Sequence, residues 1–441
     1  MSRRETAKPI EVNGRVYHWP DRPLVVVCID GSEPDYEESD GGGYIERAVA
    51  AGAMPFMQGM LESGTRRLAE CAMPSFTNPN NLSIVTGVSP AVHGICGNFF
   101  YDPDAEAEVM MNDPKFLRAG TILAAFDAAG AKIAVVTAKD KLRRLLGEGL
   151  AIGPERAICF SAEKADSATL AENGIDQMLE FVAKPLPSVY SADLSEFVFA
   201  AGVKLLESRR PDIMYLSTTD YVQHKHAPGS EGANAFYAMM DGYLASMDAM
   251  GATIALTADH GMKAKHDASG RPDVIYLQSL LDEWLGEGAA RVILPITDPY
   301  VVHHGALGGF ATVYLQGNGD GNADASALAG KLAAVPGIEV VYEREAGCAR
   351  FELPPDRVGD LLVVSSRNKV IGRTPEHHDL SQLDEPLRSH GGLSESRVPL
   401  LFNRRAVDLD PGRRLRNFDI MDVALNHLET AGATKAQAAG A

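Results

Sequence analysis

The sequence predicts an α/β protein, a mostly parallel central sheet with helices on both faces, interrupted by a smaller α+β cap. Three observations lead there. Short β-branched runs alternate with segments whose apolar residues recur every three or four positions; the texture turns strand-rich between about 266 and 380; and the final section returns to the first pattern.

In chain order, "LVVVCI" at 24–29, "KIAVVT" at 132–137, "DIMYLS" at 212–217 and "ATIALTA" at 252–258 read as buried strands. Between them, "TILAAFDAAG" and "ANAFYAMMDGYLASMDAMG" carry helical spacing, so the strands are expected to lie parallel and covered on both faces. The strands "FATVYLQ", "GIEVVYERE" and "DLLVVSS" follow, with few long helices and the Gly-rich "GNGDGNADAS" among them. "RVPLLFN" and "FDIMDVALNHLE" then read as strand and helix. The expected division is a catalytic core at 1–265, a cap at 266–380 and a returning core part at 381–441, with "GATKAQAAGA" as a loose tail. No internal period indicates repeats.

With 441 residues, 45% of them hydrophobic, the chain can bury a large core. A formal charge of −18 lacks the basic footprint of a nucleic-acid surface and does not draw an anion from afar. Any attraction for an anionic substrate must therefore come from the site itself. Cys28, Cys71, Cys96, Cys159 and Cys348 are odd in number and contain no C-x-x-C pair, which reads as reduced thiols. The start "MSRRETAKPIEVNG" has no apolar signal region and no run reaches membrane length, so a cytoplasmic location is expected.

The chemistry collects where the core strands end. Asp30 follows the first; Asp220 and His224 follow "DIMYLS"; Asp259 and His260 follow "ATIALTA"; and His390 precedes the returning strand. An Asp after a strand is commonly a turn or cap residue, and a lone D-x-x-x-H pair is commonly a helix-surface contact. All six in one order, at the end of a sheet where ligands bind, instead supply the oxygen and nitrogen donors of two metals. In "AMPSFTNPNNLSIVTG" a helix is expected to begin near Thr77, where amide N–H groups and the helix dipole favour an alkoxide and a phosphoryl group. Thr77 as a plain cap, and Ser75 or Ser83 as the nucleophile, remain alternatives on spacing alone. His266, His303, His304, His377 and His378 fall in the cap or its hinge and are expected not to be ligands; His226 stands nearer the site.

Taken together, Asp30, the Thr77 segment, Asp220-x-x-x-His224, Asp259-His260 and His390 resemble the binuclear site of the alkaline phosphatase superfamily, with the threonine nucleophile of its nucleotide pyrophosphatase/phosphodiesterase branch. The resemblance implies an alkaline phosphatase-like fold and two zinc ions per chain, other divalent metals being alternatives. Asp220, His224 and His390 would hold one metal; Asp30, Asp259, His260 and the Thr77 oxygen would hold the other.

Asn98 in "GICGNFF" offers an amide donor, and Lys139 and Lys141 stand directly after the strand ending at Thr137. Two ammonium groups there suit a carboxylate. With "TDYVQHKHAPG" and "LPPDRVGDLLVVS", these segments look like the phosphonoacetate hydrolase family, which splits the carbon–phosphorus bond of phosphonoacetate into acetate and phosphate. That resemblance implies phosphate binding by Asn98, carboxylate binding by Lys139 and Lys141, a substrate-facing role for His224 and a phosphothreonine intermediate. The expected partner is a small-molecule phosphonate, with no nucleic acid and no membrane; a homodimer is left open. The alternatives are a phosphodiesterase or phosphomonoesterase of the same superfamily, which would not need the lysines, and a non-catalytic metal-binding module, which would not need Thr77.

Overall fold

The computed structural model describes residues 3–34, 42–102, 104–297, 305–316, 324–381, 383 and 385–430. In chain order the principal strands are β1 (Leu24–Cys28), β2 (Thr65–Glu70), β3 (Ile133–Thr137), β4 (Ile158–Ser161), β5 (Ile213–Ser217), β6 (Thr253–Thr257), β7 (Ala290–Ile293), β8 (Phe310–Leu315), β9 (Ile338–Glu343), β10 (Leu361–Ser365) and β11 (Arg397–Phe402). Seven of them form the central sheet, in the order β2-β11-β6-β1-β5-β3-β4. β6, β1, β5, β3 and β4 are mutually parallel, while β11 runs antiparallel to both neighbours.

Both faces of this sheet are covered, and β1 shows why its sequence is uninterruptedly apolar. Leu24, Val26 and Cys28 join one buried cluster and Val25 and Val27 the other, as the two-residue repeat of a strand dictates. The helices used below are α1 (Thr77–Thr86), α2 (Ile122–Ala128), α3 (Asp140–Leu146), α4 (Asp193–Ser208), α5 (Tyr221–Lys225) and α6 (Glu231–Ala249). Residues of α1, α2 and α3 pack on the first face; those of α4 and α6 pack on the second. Thr121 caps α2 by accepting the Ala124 N–H at 3.0 Å.

Register is what builds the rim. Cys28 stands opposite Ser217 and Thr257, and Thr137 opposite Ser217, so β3, β5, β1 and β6 end in one row. Whatever follows each strand therefore emerges beside the others. β11, pairing Leu400 with Thr257, begins at this same rim.

A second sheet, β7-β8-β10-β9, is antiparallel throughout and carries the helices α7 (Leu277–Leu285), α8 (Ala325–Ala333) and α9 (Arg344–Phe351). Its apolar residues Val292, Phe310 and Leu362 share a cluster with Phe76, Tyr215 and Phe402 of the first layer. The expected C-terminal helix is instead three successive short pieces, a 3-10 turn at Asn417–Asp419, an α turn at Ile420–Asp422 and a π turn at Val423–His427. Asp419 is drawn aside there by Arg15, Arg413 and the Arg416 N–H. Most of "GNGDGNADAS" and the tail at 432–441 lie outside the described residues, as do His303 and His304. Among the described residues no helix is long and apolar enough to cross a membrane. All five cysteines are buried free thiols.

Candidate metal centre

The six acids and histidines expected at the strand ends meet on the rim. Asp30 leaves β1 with its N–H held by Thr218 Oγ1 at 3.0 Å. Gly31 follows at φ +72°, and a Cβ there would come within 3.2 Å of the Asp220 and Gln223 Cβ atoms. A side chain at 31 would thus push β1's end away from Asp220. Asp220 opens α5, whose single turn places His224 above it.

Each imidazole is oriented in the same manner. His224 Nδ1 meets the Arg388 carbonyl at 2.7 Å, His260 Nδ1 that of Gly261 at 2.9 Å, and His390 Nδ1 that of Ser75 at 2.9 Å. A carbonyl only accepts, so Nδ1 carries the proton and each Nε2 presents its lone pair inward. Asp220 Oδ2 lies 2.8 Å from His224 Nε2 and 3.5 Å from His390 Nε2. Asp30 Oδ1 lies 3.3 Å from His260 Nε2.

Two trios have donor atoms within 4.8 Å of one another, Asp220–His224–His390 and Asp30–Asp220–His260. Asp220 belongs to both. Asp259 stands alongside, its Oδ2 3.8 Å from His260 Nε2, while its oxygens accept from the Gly31 and His260 N–H groups and from Asn81 Nδ2.

The electrostatics of this cluster call for a cation. Burial, then Asp220 and Asp259, push the Asp30 carboxyl well above its usual range; burial and Asp220 raise Asp259. Burial, then His260, holds His390 well below the usual imidazole value. Asp30 Oδ1 and His260 Nε2 are buried without a hydrogen bond, although they face each other. Buried carboxylates and inward Nε2 atoms of this composition fit a divalent metal.

α1 begins at Thr77 itself, with Phe76 in the capping position, so the Thr77 side chain is not the cap. Thr77 is half-buried, and no hydrogen bond to its hydroxyl is seen among the described residues; Asn81 Nδ2 binds its carbonyl instead. The competing serines are occupied: Ser75 Oγ donates to the Gly392 carbonyl and accepts the Gly391 N–H, and Ser83 Oγ pairs with His93 Nε2 at 2.9 Å. Because His93 Nδ1 accepts the Ile95 N–H, Nε2 is the donor to Ser83.

Asn98 Oδ1 accepts the Asn78 N–H at 3.1 Å, which commits the amide oxygen and leaves the NH₂ as the group that can donate to a ligand. Lys139 precedes α3 and lies close enough to Asp30 to lower that carboxyl, while Lys141 feels both Asp220 and Asp30. Burial, then Lys139, brings Lys141 down to about 7.

Among the described residues the other histidines belong to neither trio. The His226 ring lies over Gly232, where a Cβ would meet it at 2.7 Å. His378 uses both nitrogens, on the Arg373 N–H and the Gly305 carbonyl; His377 pairs with Thr374 and His266 with the Asp267 carbonyl.

Sequence reasoning missed three residues that hold this centre together. Asn81, one turn into α1, donates to Asp259 and accepts from Tyr215 and Ser217. Lys265 and Glu395 form a fully buried ion pair at 3.0 Å. Nothing in their spacing marks them, since their partners are distant in sequence.

This fold is shared with proteins of known structure. The chain belongs to the type I phosphodiesterase / nucleotide pyrophosphatase family, whose model matches residues 24–393. Among solved structures it is 60% identical to phosphonoacetate hydrolase from Sinorhizobium meliloti 1021 in complex with phosphonoformate, with a TM-score of 0.89 over 95% of this chain and 98% of that one. The phosphonoacetate complex of the same enzyme matches at 59% identity over the same shares, again with a TM-score of 0.89. A phosphonoacetate hydrolase of Penicillium oxalicum is 67% identical over 30 residues, which are 7% of this chain and 42% of that relative's length. The fold extends to alkaline phosphatase PafA, at 14% identity and a TM-score of 0.66 over 93% of this chain and 96% of that one.

Proposed function

We propose that this chain hydrolyses the carbon–phosphorus bond of phosphonoacetate, giving acetate and phosphate, with two zinc ions on the rim. The observation that carries the choice among phosphoryl-transfer reactions is the placing of Lys139 and Lys141 within electrostatic reach of Asp30 and Asp220. The 60% identity to phosphonoacetate hydrolase supports the same choice.

Asp220, His224 and His390 would hold one metal; Asp30, Asp259, His260 and the Thr77 oxygen would hold the other, with Asp220 standing between the two groups. When bound, zinc supplies Lewis-acid stabilisation of phosphoryl oxygens and lowers the pKa of a nearby hydroxyl or water.

The chain's own residues do the rest. Thr77 Oγ1, losing its proton, attacks phosphorus; the new O–P bond forms as the C–P bond breaks, leaving a phosphothreonine. The bonding pair passes to the methylene carbon and spreads into the neighbouring carboxylate as an enediolate. Lys139 and Lys141 offer their charge at that carboxylate in advance, so the developing charge meets donors already in place. The carbon then takes a proton to give acetate. Asn98 donates its amide N–H to a phosphoryl oxygen, and the α1 dipole favours the phosphoryl group at Thr77. Water displaces Thr77 from phosphorus in the second step, releasing phosphate and restoring the hydroxyl.

The test is incubation of zinc-loaded protein with phosphonoacetate while acetate and phosphate are followed by NMR. Equimolar release of both is expected. Turnover of an aryl phosphodiester with phosphonoacetate left intact would assign the chain to phosphodiester chemistry instead.

A further inference from the structure

His260 and His390 belong to segments 130 residues apart in the numbering, yet their rings stack with centroids 3.6 Å apart and 7° between planes. Two devices tie the segments that carry these rings. In the first, Lys263 and Ala264 pair antiparallel with Ser389 and Arg388, joining the segment after His260 to the one before His390.

The second is Lys265 with Glu395. Both side chains are fully buried, with Nζ donating to Glu395 Oε1 at 3.0 Å and to the Arg367 carbonyl at 2.6 Å. Glu395 Oε2 accepts the Gly392 N–H at 2.9 Å, two residues past His390, and the Glu395 carbonyl accepts the Gly261 N–H at 2.7 Å, one residue past His260. Ser394 Oγ fills the remaining site on Oε1. Glu395 therefore grips the chain immediately after each of the two imidazoles.

A lysine and a glutamate are rarely buried completely, and such a pair adds little stability over apolar side chains of the same size. Its specific contribution is directional. The Gly391–Gly392 turn carries no side chain of its own, since Gly391 sits at φ +113° with Phe76 where a Cβ would be; it is anchored from outside, by Ser75 on the Gly391 N–H and the Gly392 carbonyl and by Glu395 on the Gly392 N–H.

We propose that the Lys265–Glu395 pair is a positioning element that sets the spacing of the His260 and His390 imidazoles for metal binding, an inference that rests on the metal reading above. Lys265 fixes the Glu395 carboxylate; the carboxylate fixes Gly392; and the Glu395 backbone fixes Gly261.

The test uses the full chain, prepared metal-free, with zinc affinity read by competition against a chromophoric chelator and thermal melting of the metal-free form measured alongside. The double variant K265M/E395M removes both charges and the acceptor for the Gly392 N–H. K265M/E395Q removes both charges but keeps an amide oxygen for that N–H. K265M/E395Q is expected to melt near the wild type, because both charges leave together and the Gly392 N–H keeps an acceptor; K265M/E395M, which leaves that N–H without one, is expected to melt lower. Zinc affinity is expected to fall about ten- to a hundredfold in K265M/E395M and to stay close to wild type in K265M/E395Q. Equal affinities in the two doubles, whether high or low, overturn the proposal. So does a zinc affinity of K265M/E395Q that falls together with its melting temperature, or failure of either double to fold, since the pair would then serve the fold alone. Wild-type protein that takes up no zinc sinks the metal reading, and with it this inference, before any variant is compared.

Discussion

Asn81 Nδ2 donates to Asp259 Oδ2 at 3.2 Å, tying the helix that starts at Thr77 to the acid that leaves β6. The same amide spans a full set of partners: Nδ2 also donates to the Thr77 carbonyl at 3.1 Å, and Oδ1 accepts from Tyr215 at 2.8 Å and Ser217 at 3.0 Å. Asn81→Ala leaves the buried Tyr215 and Ser217 hydroxyls without their acceptor. A stability loss of about 1–3 kcal/mol is expected by urea unfolding, together with a lower kcat. Wild-type values of both would show that Asn81 is replaceable by water.

Removing the nucleophile separates binding from turnover. Thr77→Ala is expected to keep both metals, whose acid and imidazole ligands remain, and to lose about a thousandfold or more in kcat. Rapid quench of the wild type should recover phosphate on Thr77. An alanine variant near full activity would return Thr77 to a structural role.

His390 is expected to matter to one metal more than to the other. His390→Ala removes a donor from the Asp220–His224–His390 trio, whose remaining members are one carboxylate and one imidazole. Elemental analysis after gel filtration should give two zinc ions in the wild type and one in the variant. Two in both would place His390 outside the metal shell.

The lysines distinguish carbon–phosphorus cleavage from ester hydrolysis. Lys139→Met and Lys141→Met should each lower kcat/KM for phosphonoacetate about ten- to a hundredfold, the size of a charge-assisted contact. An aryl phosphate, which has no carboxylate, should change little. The ratio of the two substrates on one preparation cancels metal loading, and equal losses on both would make the lysines structural.

Lys141 also predicts a pH dependence. Burial, then Lys139, lowers it to about 7, so the ammonium is present below that pH and is lost as pH rises through it. KM for phosphonoacetate should accordingly rise above neutrality in the wild type. Lys141→Arg, which stays charged, should flatten that rise. A wild-type KM constant across neutrality would show that the bound anionic substrate holds the proton in place.

The parallel strands were legible because burial on both faces leaves runs such as "LVVVC" with no polar residue, and their ends exposed the acids and histidines by contrast. β2, "TRRLAE", was not, since an edge strand carries charges that mimic a helix surface, and β4 is only four residues long. The imidazole orientation was equally hidden: every Nδ1 partner is a backbone carbonyl, which any residue supplies. Lys265 and Glu395 carry no mark in the linear sequence, and only the fold brings them together and buries them. Ser75 and Ser83 stayed open on spacing because their hydroxyls are taken by Gly392 and His93, contacts that a linear reading cannot weigh.

β11 enters the sheet between β2 and β6, and His390 lies only a few residues before it, after the whole of the second sheet has been made. On the ribosome, Asp30, Thr77, Asp220, His224, Asp259 and His260 all emerge before the strand that closes the sheet beside them. A nascent chain halted at residue 380 therefore has β2 and β6 facing a missing neighbour and the Asp220 trio short of one imidazole. On the proposed ligand set, that trio gains its third donor only once residue 390 has been made.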